Sequence, residues 1–223
     1  MLPIIFLGPS LSVQKAREIF PLADYRPPAR KGDFLKIASE QNDPGFVGFI
    51  DGVFLQDYPP TPIEVYSLLK KNNVTVAGAA SLGALRAVEL EKFGMIGIGK
   101  IFQLFKSGKL ESDDEVAVTF SDHEYKLQSE ALIDIRYTLH WAVKDGIISR
   151  DTKDVLVRTA KQIYFPSRNY DEIIERARND GSEKNQLERF KEYVTTNRRS
   201  LKEEDSIKLI QYIKQQYLES LKR

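Results

Sequence analysis

Apolar runs alternate with amphipathic stretches through the first half of the chain. Residues 3–7 are continuously apolar and read as a buried strand; residues 12–20 carry apolar positions at helical spacing, with Ser10 or Ser12 available as a cap. The same pattern predicts a helix over residues 32–40, a buried strand at 46–50, and a helix over 62–71 opened by proline. A strand at 74–77 and a helix from about Leu82 follow. Gly94, Gly97 and Gly99 mark a bend, after which come a short helix to about Lys106 and a strand-like run over 115–120. From residue 124 onward the pattern is helical: a long amphipathic segment over 125–145, another from Asp151 with Thr152 nearby for capping, then 170–178 and 202–221.

Strands alternating with helices imply a mainly parallel sheet with right-handed crossovers and helices on its faces. The expected fold is therefore α/β and Rossmann-like, with a core domain over residues 1–122 and an all-helical C-terminal region over 123–223. Sheets of this kind hold ligands beyond the C-terminal ends of their strands, where Ser10, Asp51 and Ser81 fall. Asp51-Gly52 is equally a turn signal. The Gly97/Gly99 pair lacks the third glycine and the preceding strand of a dinucleotide fingerprint, so no cofactor is read from it.

Composition narrows the chemistry. Among 223 residues, 42% are hydrophobic and 29% charged, as in an ordinary folded protein. A net charge of +1 supplies no broad field for nucleic acid or an anionic membrane. The opening residues form a short apolar run with no basic flank, which reads as a first strand and not a signal peptide, and no segment is apolar for long enough to span a bilayer; the expectation is a cytoplasmic protein. Cysteine is absent, which removes disulfides, thiolate metal sites and thiol nucleophiles. Two histidines, His123 and His140, do not make a multi-histidine metal site, and no metal is expected. The charges of the last third read as solvated helix faces. Hydroxyls, carboxylates, lysines and arginines remain.

Ser81 stands on the corner of a strand–turn–helix in VTVAGAASLGALRAVEL, with Ala79 and Gly83 two positions away on either side. Small neighbours are what a nucleophile elbow requires, and the first amides of the following helix can stabilise an oxyanion. A helix cap explains the same serine. Neither histidine is tied to Ser81 by spacing, which leaves a lysine as the base. Lys31, Lys100 and Lys161 stand in structured contexts, whereas Lys15 of Ser12-Val-Gln-Lys15 reads as an exposed residue at a helix start. Arg86, in the same helix as Ser81, reaches either a carboxylate such as Asp51 or an anionic substrate terminus. Asp113-Asp114-Glu115 either coordinates a cation or caps a strand.

Taken together, Gly8-Pro-Ser-Leu11, Pro27-Pro-Ala-Arg-Lys-Gly-Asp33, Phe49-Ile-Asp51-Gly-Val-Phe54, Gly78-Ala-Ala-Ser-Leu-Gly-Ala-Leu-Arg-Ala-Val-Glu-Leu90, Gly94-Met-Ile-Gly-Ile-Gly99 and Asp113-Asp-Glu-Val-Ala-Val118 resemble the TfuA family. The resemblance continues through Ala160-Lys161 and Tyr164-Phe-Pro-Ser-Arg168. It implies a partner of YcaO enzymes, which activate a backbone amide with ATP so that sulfur replaces its oxygen in a peptide or protein substrate. It further implies hydrolysis of a thiocarboxylated, ThiS-like sulfur carrier protein through a Ser-Lys pair. The serine falls on Ser81, the lysine on Lys161 first and Lys31 second, with Ser10, Asp51 and Arg86 orienting the site. Leu82 stands where many relatives have methionine.

A non-catalytic adaptor, docking YcaO through the C-terminal helices with Ser81 only a cap, is the competing expectation. A small-molecule-binding Rossmann-like module follows from the sheet alone, but it lacks a phosphate loop.

Overall fold

A computed structural model describes residues 1–53, 58–121, 124–180 and 183–222. They form two compact units: residues 1–113 together with 202–223, and residues 114–201.

The first unit is a five-stranded parallel sheet in the order β2-β1-β3-β4-β5, comprising β1 (Ile4–Phe6), β2 (Asp24–Arg26), β3 (Phe46–Phe49), β4 (Thr75–Gly78) and β5 (Ile96–Gly97). Helices α1 (Val13–Ile19), α2 (Asp33–Ser39), α3 (Pro62–Leu69) and α4 (Leu82–Leu90) connect the strands, and α5 (Gly99–Lys106) follows the last of them. The α/β expectation holds. Every strand pair is parallel, and Ile5, Gly48 and Ala77 stand in register across the three central strands. Period-two alternation sends Ile5 and Leu7 into a core shared with Ala16 and Phe20 around α1, and with Leu209, Ile210 and Ile213 from α10 (Leu201–Ser220). A side chain at Gly48 would collide with Ile213 and Leu209, so this glycine sets how closely α10 lies on the sheet. On the other face Phe6, Phe34 and Phe49 form an aromatic cluster with ring centroids 4.9–6.4 Å apart.

Helix starts follow their local chemistry. Ser12 accepts the Lys15 N–H, and Thr61 with Glu64 forms a reciprocal capping box ahead of the proline at the first position of α3.

The second unit contains α6 (Leu132–Lys144), α7 (Arg150–Gln162), α8 (Tyr170–Asn179) and α9 (Lys184–Thr196). Its core gathers Leu139, Leu156, Ile173 and Phe190, one residue from each helix in a cluster of sixteen buried positions. Two expectations are corrected here. Residues 115–120 do not form a strand: Asp113–Glu115 is a short 3-10 turn, and the buried Val116–Val118 stretch runs on to a single antiparallel bridge between Phe120 and Leu127. The helix expected from residue 125 begins at Leu132, because Gln128 and Glu130 donate their N–H groups to Thr119 and Arg168 carbonyls. Strands β2 and β5 and helix α9 are additions to the expected elements. No helix among the described residues is long and apolar enough to cross a membrane.

Candidate functional site

The C-terminal edge of the sheet is shaped by main-chain contacts. Strand β4 ends at Gly78, and the Ala79 N–H crosses to the Phe49 carbonyl at 3.1 Å. The Ser81 N–H then turns back to the Ala79 carbonyl at 2.8 Å, closing a three-residue turn around Ala80 at φ +65°. An i-to-i+2 bond around a positive φ marks the rare, strained form of γ-turn. A left-handed backbone costs a residue with a Cβ roughly 1 kcal/mol, and such outliers concentrate at functional sites.

Ser81 emerges from this turn at φ −112°, ψ −127°, outside the extended region that capping residues occupy, and its side chain caps nothing. Its hydroxyl makes no hydrogen bond among the described residues, although the residue is buried, with 8% of its surface exposed. The Ala84 N–H is satisfied by the Ser81 backbone carbonyl at 3.0 Å, and the Gly83 N–H by the Ile50 carbonyl at 3.2 Å. The Leu82 N–H donates to no described group. A free hydroxyl thus stands next to a free amide at the positive end of a nine-residue helix, an arrangement that can hold an oxyanion forming on an attacked carbonyl. Two glycines allow it. A Cβ on Gly83 would overlap the Phe49 carbonyl oxygen, and one on Gly78 the Gly83 carbonyl oxygen, so only glycine lets α4 begin this close to β3 and β4.

Asp51 and Ser10 are brought together, as their positions beyond β3 and β1 require. Asp51 is 1% exposed and accepts the Gly8 and Ser10 N–H groups at 2.9 and 3.0 Å and the Ser10 hydroxyl at 2.6 Å. Strand order reverses between β1 and β3, so this pair sits at the topological switch point where sheets of this order place their ligands. Asp51 does not meet Arg86. That guanidinium donates to the Pro60 carbonyl at 3.0 Å and to both carboxylate oxygens of Glu89 at 3.0 and 2.8 Å. Arg86 also borders a cavity of about 560 Å3 with Leu85, Val88, Phe105, Leu110 and Glu111.

Lys31 follows a segment running along the same edge: the Ala29 N–H donates to the Asp51 carbonyl at 2.9 Å, and Ala29 bridges to Gly52, against which the Leu82 side chain packs. Lys31 itself is exposed, its Nζ 5.5 Å from the Tyr58 ring centroid. Lys100 is exposed in the first turn of α5. The Ser12/Lys15 pair is a helix cap: Lys15 Nζ turns to Glu203 at 2.7 Å, and that hydrogen bond raises its pKa.

Lys161 lies in the second unit, exposed in the last turn of α7. The end of that helix is fixed by Arg168, whose side chain is 1% exposed. Its guanidinium donates to the Ala160 and Ile163 carbonyls at 3.0 and 3.1 Å and to the Asp114 carboxylate at 2.7 Å. Arg168 thus neutralises the negative end of the helix. Glu115 takes Arg136 through two bonds of 2.9 and 2.8 Å, so two members of the acidic run Asp113-Asp114-Glu115 are held by arginines. No cluster of metal-ligating side chains occurs among the described residues. His140 is exposed on α6, and His123 lies outside the described residues.

The sequence reading missed the role of Ala80. The run Gly78-Ala-Ala-Ser81, with no bulky or β-branched side chain, is the only trace the tight turn leaves in the sequence. The family model described as TfuA-like protein matches residues 51–169, a stretch that contains Asp51, Ser81, Arg86, Lys161 and Arg168 and excludes Ser10 and Lys31. A search of curated proteins gives no match.

Proposed function

The chain belongs to the TfuA-like protein family, and from that membership we propose that it serves YcaO-dependent backbone thioamidation by hydrolysing a thiocarboxylated, ThiS-like sulfur carrier protein at Ser81. The family supports an accessory protein in the setting of YcaO enzymes. Hydrolysis is a reading of the local geometry, and the observation that carries it is the unbonded Ser81 hydroxyl beside the unclaimed Leu82 amide.

In this reading the Ser81 oxygen attacks the thiocarboxylate carbon while a lysine takes the hydroxyl proton. The Leu82 N–H stabilises the oxyanion, the C–S bond breaks and hydrosulfide leaves. Water then cleaves the Ser81 ester, so each turnover converts one thiocarboxylate and one water into a carboxylate and hydrogen sulfide. The sulfide is taken up by YcaO, which installs it in the peptide or protein substrate. Lys161 is the first candidate for the base and Lys31 the second. Both are exposed. Ser10 and Asp51 position the loops around the crevice, and Arg86 holds the Pro60 segment against α4.

The test is to incubate the protein with thiocarboxylated carrier and follow loss of the thiocarboxylate by intact mass. We expect turnover with the parent, a fall of roughly a thousandfold or more with Ser81→Ala, and a comparable fall with whichever of Lys161→Ala and Lys31→Ala removes the base. Ser81→Ala acting as fast as the parent would sink the hydrolase reading. If that variant also sustained full thioamide yield with YcaO, the adaptor role would take its place.

A further inference from the structure

The outward side of α6 carries an arrangement that the chemistry at Ser81 does not use. This helix buries Leu132, Ile135, Leu139 and Ala142 in the core of the second unit and leaves His140 and Lys144 exposed, with Trp141 half-buried between them. The ammonium group of Lys144 lies 4.3 Å from the Trp141 ring centroid, and the exposed Arg199 guanidinium lies 4.2 Å from it. The His140 and Tyr137 rings stand edge-on at 6.2 and 6.4 Å.

Five other arginines of this unit find carboxylates, Arg136 with Glu115, Arg168 with Asp114, Arg176 with Glu172, Arg178 with Glu175, and Arg198 with Glu130, while Arg189 donates to the Gly146 carbonyl. Lys144 and Arg199 have no ion pair among the described residues. Asp145, next along the chain from Lys144, accepts the Tyr193 hydroxyl at 2.7 Å. Two like charges are thereby gathered over one indole, and their repulsion is only partly offset by cation–π attraction. The indole Nε1–H, itself out of solvent, has no hydrogen-bond acceptor among the described residues.

We infer that the Trp141 face of α6 is a docking surface for an acidic segment of a partner protein, whose carboxylates pair with Lys144 and Arg199. Charge complementarity selects this occupant. Nucleic acid fits less well because the ring face on which a base would stack is already taken by cations, and because a chain of net charge +1 offers no longer track of positive groups. The surface lies wholly within the second unit and is independent of Ser81.

Trp141 is the single tryptophan of the chain, so its emission reports on this surface alone. The experiment titrates the intact protein with a hexaglutamate peptide, following tryptophan emission and, with a fluorescein-labelled peptide, anisotropy. We expect a saturable change that weakens steeply with added sodium chloride. The Lys144→Glu/Arg199→Glu double variant should bind about tenfold more weakly or worse, with an unaltered circular dichroism spectrum; Lys144→Arg should retain binding. Either no saturable change or equal affinity for the double variant overturns the proposal. So does a saturable response to an oligothymidine strand with none to the peptide, which would make the surface a nucleic-acid site.

Discussion

Ser149 and Ser81 each stand one residue ahead of a helix, α7 and α4, in different units of the molecule. Ser149 has extended backbone at φ −77°, ψ 167°, and its hydroxyl accepts the Thr152 N–H at 3.1 Å. Ser12, Thr61 and Asn169 treat their helices in the same way. Ser81, with its ψ of −127°, does not, because the start of α4 is anchored by other means: Gly83 reaches Ile50 and Ala79 reaches Phe49, backbone to backbone. A helix start can be fixed by a side chain or by close approach of the main chain. Where the main chain does the fixing, the hydroxyl is released for other work.

The comparison breaks hardest at Gly83. Gly83→Ala drives a methyl group into the Phe49 carbonyl and should cost more than about 4 kcal/mol or prevent folding, whereas Asp151→Ala at the matching, exposed position of α7 should change stability by less than about 0.5 kcal/mol. Urea denaturation of the two variants decides it. The far end of α7 comes next, since Arg168→Met leaves the Asp114 carboxylate and two helix carbonyls without their donor. A loss of about 2–4 kcal/mol is expected by the same measurement, mainly from the two buried carbonyls, because Asp114 is partly exposed. Ser149→Ala should cost about 1 kcal/mol while Ser81→Ala costs nothing measurable; equal losses would make Ser81 a cap after all. The smallest effect is at Ala80. Ala80→Gly relieves the left-handed backbone but gives the unfolded chain more freedom, so stability should move by less than about 0.5 kcal/mol, with the thiocarboxylate turnover falling as the turn loosens.

What the sequence discloses follows from which residues carry the signal. Strands β1, β3 and β4 are buried on both faces and write themselves as apolar runs. Strand β2 is Asp24-Tyr25-Arg26 at a sheet edge and β5 is two residues ending on a glycine, so both exist through their ladders to β1 and β4 and leave no run to read. The reverse holds for Val116–Val118, apolar and buried yet outside any ladder. In α9 the stripe Leu187, Phe190, Tyr193 and Val194 is present but charged positions crowd it. Ser81 was legible as a candidate from its small neighbours. That it does not cap its helix was not, because the outcome depends on the dihedral angles of Ala80 and on two carbonyls, of Phe49 and Ile50 at the end of β3, some thirty residues earlier. Lys161 illustrates the opposite difficulty: apolar residues follow it closely in the chain, yet Ile163 and Phe165 turn inward and leave the lysine exposed.

The route of the chain has a consequence for its synthesis. The surface of Ile5, Gly48 and Ala77 is closed by Leu209 and Ile213, yet all of residues 114–201 are translated between β5 and those two side chains. On the ribosome the five strands therefore emerge with one oily side covered by α1 alone, and stay so until the intervening helical unit has been made. The nascent protein must shield that side, by a chaperone or by slow closure of the sheet, for the whole of that interval.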